Sequence, residues 1–104
     1  MPSSRSETLR QMLAADPSNS FLRYGLAMDL LNSGDAQAAA AEFETLIAGD
    51  PTYLAAYFHG GRAFEQLGRT DAAREIYTRG IAAAQAKGDT HTLAEIEGAL
   101  ALLG

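Results

Sequence analysis

An all-α fold of stacked antiparallel helix pairs, about six helices with the last as a cap, is predicted for this chain of 104 residues by three features. The sequence matches itself at a shift of 34. Asp16-Pro17 recurs as Asp50-Pro51, Ala27 as Gly61, Leu30 as Phe64, Gly34 as Gly68, Ala39 as Ala73 and Phe43 as Tyr77. A fixed period in this range marks a stacked-repeat architecture. Within each period, apolar residues recur at spacings of three and four on either side of a glycine turn, as two amphipathic helices require. Nothing alternates apolar and polar residues between turn signals, so no strand is expected.

Taken in order, Pro2 to Ser4 reads as a lead-in, and Ser4 or Ser6 can cap a helix running to about Ala15. Leu9, Met12 and Leu13 form its stripe, and Asp16-Pro17 ends it because proline disfavours α conformation in the preceding residue. By the 34-residue offset Leu9 corresponds to Phe43, so this helix reads as the second half of a repeat, over 4–16. The first full repeat is expected over 18–51. Ser18 or Asn19 caps a helix from about Ser20 to Asn32, whose packing stripe is Leu22, Leu26, Ala27 and Leu30. Gly34 supplies the left-handed turn and Asp35 caps a helix from Ala36 to about Ala48. Phe43, Leu46 and Ile47 give that helix bulk, and the run Ala38 to Ala41 lets a neighbour approach closely.

The second repeat is expected over 52–86, with helices from about Tyr53 to Leu67 and Thr70 to Ala86. Gln85 stands where the first repeat has Pro51, which leaves its second helix free to run on to Lys87. Mid-helix Gly60-Gly61 costs roughly 1 kcal/mol per residue relative to alanine, so both are read as points where a facing element needs room. Gly88-Asp89-Thr90 breaks and re-caps the chain. A last helix over 89–103 carries Leu93, Ile96, Leu100 and Leu103 and reads as the cap that a stack needs over its exposed end. The whole, 1–104, is expected to be one domain.

Composition narrows the function. There is no Cys, which excludes disulfide and thiolate-metal chemistry. A net charge of −5 argues against a nucleic-acid footprint. No segment reads as a signal peptide or membrane span, so neither membrane nor nucleic acid is expected as a partner, and a cytoplasmic setting is the default. Charge is uneven. Between Tyr24 and Gly61 every ionised side chain is acidic, whereas from Arg62 to Lys87 the bases outnumber the acids. Solvated helix faces explain such a pattern without a ligand. His59 and His91 have no metal-ligand spacing, no nucleophile elbow occurs, and Glu42/Glu44 and Glu95/Glu97 are two apart and point to different sides of a helix. No enzyme, metal or cofactor is therefore expected.

The two periods resemble the tetratricopeptide repeat. The first matches at Leu26-Ala27, Leu30, Ala39, Phe43 and Pro51, and the second at Tyr57, Gly61, Phe64, Ala73 and Tyr77. Arg23, Gly60 and Gln85 depart from the pattern at its Trp, Leu and Pro places. The resemblance implies a right-handed stack in which the first helix of each pair lines a concave face. It also implies a scaffold or interaction module rather than a catalyst.

Positions that contact ligands in that family fall here on Phe21, Tyr24, Gly25, Met28, Leu31 and Asn32, then on Ala55, Phe58, His59, Arg62, Glu65 and Gln66. Phe21, Tyr24, Met28 and Leu31 follow at spacings of 3, 4 and 3, a second apolar stripe beside the packing stripe. A helix apolar on two faces is either buried on both or binds something. A terminal helix folded over the stripe is the internal alternative. A peptide or partner helix, or a second copy of the chain in a homodimer, is the external one. Tyr24 and Met28 occupy the Lys and Asn places of the family's carboxylate clamp, so a chaperone-tail adaptor is disfavoured. Arg62 with His59 could still hold one anionic group, and a small helical enzyme or ligand-binding protein is the rival from another class.

Overall fold

The computed structural model describes residues 4–103 and contains six helices: α1 Ser4–Ala15, α2 Ser20–Asn32, α3 Ala36–Gly49, α4 Ala55–Gln66, α5 Thr70–Lys87 and α6 Thr90–Leu102. Among the described residues there is no strand, and no helix is long and apolar enough to cross a membrane. The expected lead-in before Ser4 lies outside the described residues.

Turn chemistry sets most boundaries. Gly34, Gly68 and Gly88 adopt positive φ of 91°, 72° and 75°, the left-handed conformation that ends α2, α4 and α5. Asn19, Asp35 and Asp89 then accept from the backbone N–H of Leu22, Ala38 and Thr92, satisfying amides that the first turn of a helix leaves unpaired. Two boundaries differ from expectation. Instead of starting near Tyr53, α4 starts at Ala55. The chain spends Asp50–Leu54 in tight turns, with Tyr53 N–H bonded to Asp50 O at 3.1 Å, and the Thr52 hydroxyl donates to Asp50 rather than capping the helix. Nor does Ser6 act as a cap. It lies within α1, fully buried, and its hydroxyl donates to the Asp29 carboxylate of α2.

The helices stack in sequence order. Each packs on its neighbours in the chain, and α2–α4 and α4–α6 also touch. Thus α2, α4 and α6 form one layer with α3 and α5 packed behind it. The layers share one core, in which Leu26, Leu30, Phe43, Ile47, Ile76, Tyr77 and Ile96 are fully buried. Gly60 and Gly61 are the close-approach points their placement implied. A Cβ on Gly60 would stand 2.8 Å from Ile76 Cδ1, and one on Gly61 only 2.1 Å from the Tyr77 ring. Gly80 does the same for Tyr57, at 2.5 Å from its Cβ. In α6 only Ile96 is fully buried, while Leu93, Leu100 and Leu103 are half-buried and Met12 of α1 is largely exposed.

Candidate functional site

The layer of α2, α4 and α6 gathers most of the side chains singled out from the sequence. On α2, Tyr24 packs edge-on to Phe43 at 6.3 Å between ring centroids and lies 5.2 Å from Tyr53. His59 of α4 joins the same group, 6.0 Å from Tyr24, 6.5 Å from Phe43 and 5.1 Å from Phe58. Tyr24, Phe58 and His59 are all half-buried, with one side on the core and the other toward solvent. Burial raises the Tyr24 phenol above its ordinary pKa, with Tyr53 adding to the effect. Burial, then the neighbouring Arg62 cation, hold His59 below the usual imidazole value against an opposing pull from Glu95. His59 is thus an aromatic packing partner whose surroundings favour the neutral imidazole.

The expected stripe on α2 divides into three. Phe21 is 74% exposed, Tyr24 and Met28 are half-buried, and Leu31 is buried at 8%. Leu31 belongs to the core cluster with Leu30 and Ala27, so it contributes packing rather than binding surface. Asn32 is exposed at the end of α2, and Arg62, Glu65 and Gln66 are exposed on α4. A Cβ on Gly25 would stand 3.8 Å from a Leu9 methyl of α1, so on this side α1 packs directly against α2. Part of the apolar surplus of α2 is therefore covered from within.

Where α4, α5 and α6 meet, a cleft of about 420 Å³ opens. It is lined by Phe58, Arg62, Glu65, Tyr77, Glu95, Gly98, Ala99 and Leu102. Tyr77 is fully buried and donates its hydroxyl to the Glu65 carboxylate. Burial first, and that hydrogen bond second, push the Tyr77 phenol far above its ordinary pKa. Arg62 stands at the rim beside Glu65 and Glu95, and Glu95 also lies 3.6 Å from His91. The α6 half of this cleft is not among the residues expected from sequence, where α6 reads as a cap. Glu95, Gly98, Ala99 and Leu102 do recur at spacings of 3, 1 and 3, one helix face, and that spacing was the available signal.

The cleft can accommodate apolar side chains beside a mixed-charge rim. His59 is not among its lining residues. Among the described residues, no group of three or more His, Asp or Glu could hold a metal ion.

A family model described as Tetratricopeptide repeat matches residues 24–88. A TPR repeat-containing protein of Pseudomonas aeruginosa is 36% identical over 83 residues, which is 80% of this chain and 79% of that protein. The solution structure of a tetratricopeptide repeat domain protein from Salinibacter ruber superposes with a TM-score of 0.78 at 38% identity. That match covers 84% of this chain and 88% of the other. The crystal structure of PcrH in complex with the chaperone binding region of PopD superposes with a TM-score of 0.87 over 94% of this chain and 74% of PcrH. At 18% identity that likeness concerns the fold alone. On the period, the helix stack and these matches together, the chain belongs to the tetratricopeptide repeat family.

Proposed function

We propose that this protein is a non-catalytic interaction module that holds a peptide or a helix of another protein against the layer of α2, α4 and α6. The observation that carries the reading is the continuous surface from Tyr24 and Met28 across Phe58 and His59 into the α4–α6 cleft. Its rings are half-exposed and anchored from behind by the core. Rigid aromatic side chains of this kind offer a large contact area with little entropy left to lose, which suits an apolar anchor on a partner segment. Arg62, Glu65 and Gln66 at the exposed edge would fix its orientation through polar contacts. PcrH, with a similar fold, is seen with a segment of another protein, and this supports the class of partner. In this reading α1 is the second half of a repeat whose first helix is missing, 18–51 and 52–86 are the two full repeats, and α6 caps them.

Separating binding from stability tests the reading. Tyr24→Ala and Phe58→Ala should each weaken capture of the partner by about 1–3 kcal/mol. Phe43→Ala empties a fully buried site and should instead cost about 3–5 kcal/mol of folding stability. Thermal melts and partner titrations on the same three proteins give the comparison. A Tyr24→Ala variant that unfolds as badly as Phe43→Ala would show that the aromatic surface is core and that the module reading fails.

A further inference from the structure

Glycine inside a helix costs stability, and three of the five mid-helix glycines here have an internal neighbour that leaves no room for a side chain. Gly60, Gly61 and Gly80 make room for Ile76, Tyr77 and Tyr57, and Gly25 faces Leu9 in ordinary contact. Gly98, in the middle of α6, has nothing within 4 Å of where its Cβ would stand. It lines the α4–α6 cleft, and Ala94, Ala101 and Leu102 are exposed along the same helix. Leu102, the last residue of α6, is 90% exposed at the lip of the cleft. A projecting apolar side chain, a recess able to take one and a backbone left open to close approach thus lie on one face.

We propose that α6 is a self-association surface. Two copies related by a twofold axis cross at Gly98, and the Leu102 of each enters the cleft of the other against Phe58 and Ala99. The occupant is a second copy rather than an unrelated protein because a twofold contact requires one face to be complementary to itself. This face meets that requirement twice. It holds both the apolar projection and its recess, and its rim carries both signs of charge, so that Arg62 of one copy can face Glu95 of the other. The dimer would fill the deep end of the surface assigned to a partner, so self-association and partner binding exclude each other there.

Sedimentation velocity of the full chain over a wide concentration range tests the proposal. Wild type should pass from single-copy to two-copy mass. Gly98→Leu and Leu102→Glu should each weaken dimerisation about tenfold or more, as truncation of a central anchor does. Neither should lower the melting temperature of the single copy, because one side chain enters open space and the other leaves an exposed site. Arg62→Glu and Glu95→Arg should each weaken the dimer, and the two together should restore it. Single-copy mass at every concentration overturns the proposal, as does a dimer indifferent to Gly98→Leu and Leu102→Glu. If wild type stays single but Gly98→Leu abolishes capture of a partner protein, the occupant is that partner. The dimer proposal then falls while the interaction-module reading stands.

Discussion

Where the first helix pair joins Arg23 of α2 to Glu42 of α3 at 2.6 Å, the second places Tyr57 and Ile76, each 34 residues on. Beside that ion pair the first repeat has Leu26 and Leu46; at the matching points the second has Gly60 and Gly80. Volume has moved within the pair. Tyr57 lies over Gly80 and Ile76 over Gly60, each filling space that a leucine occupies one period earlier. One position further on, Ala27 with Phe43 becomes Gly61 with Tyr77, and the added hydroxyl is taken up by Glu65. Either a medium-sized apolar pair or a large-and-none pair can therefore fill the space between the two helices of a repeat.

Exchanging the solutions should fail in proportion to how tightly each is closed. The largest effect is expected at Gly61→Ala. The new methyl would meet a fully buried Tyr77 ring whose hydroxyl is already held, so the variant should lose about 1–3 kcal/mol despite the better helix propensity of alanine. The reciprocal change Ala27→Gly should cost about 1 kcal/mol, from propensity and a small void. Denaturant melts of both decide the matter. A stabilised Gly61→Ala would mean that the ring can retreat and that the second repeat is only loosely closed.

A smaller effect is expected at the ion pair. The Arg23 and Glu42 side chains are 21% and 25% exposed, so water screens them only in part. A double-mutant cycle over Arg23→Ala and Glu42→Ala should return a coupling of about 0.5–1 kcal/mol that shrinks with added salt. No coupling at low salt would show that the first repeat gains nothing from its polar solution.

The smallest effect concerns pH and the two Asp-Pro junctions. Asp50 accepts from Ser20 Oγ at 2.7 Å and from Thr52 Oγ1 at 3.1 Å, which ties the end of the first repeat back to its beginning. The Ser20 hydrogen bond is the main cause that holds its carboxyl below the ordinary aspartate pKa, against some opposing burial. A carboxyl lowered by folding adds stability that is complete above the ordinary aspartate pKa and is lost as pH falls through the lowered folded value. Melting temperature should therefore decline on acidification below about pH 4, and Asp50→Asn should flatten that decline. Asp16→Asn should matter less, since among the described residues that carboxylate receives only the nearby Asn19 amide. Equal flattening by both would show that the Ser20 tie is idle.

How far these features could be read from sequence depended on their range. Helix ends were legible because Gly34, Gly68, Gly88, Asp35 and Asp89 act on bonds within four residues of themselves. The start of α4 was not, because it follows a turn in which Tyr53 N–H bonds to Asp50 O and the Thr52 hydroxyl donates to the Asp50 carboxylate. Long-range placement was harder. The stripe on α2 shows in its spacing, but spacing does not tell that Leu31 enters the core while Phe21 stays in solvent. Ser6 reads as a cap by residue type, and only the packing of α1 on α2 sends its hydroxyl to Asp29. The cleft was hidden for the same reason. It exists where faces of three helices converge, and no single face announces it.

Because each helix packs on its neighbours in the chain and reaches no further than the next helix but one, the contacts that make the fold join segments close in sequence. The chain entropy lost in closing each loop is correspondingly small, so nucleation can begin at any pair and spread both ways. Among the described residues, α1 touches no helix but α2. It can therefore come away without opening the rest, and its amides should exchange with solvent hydrogen while those of α3 and α4 remain protected.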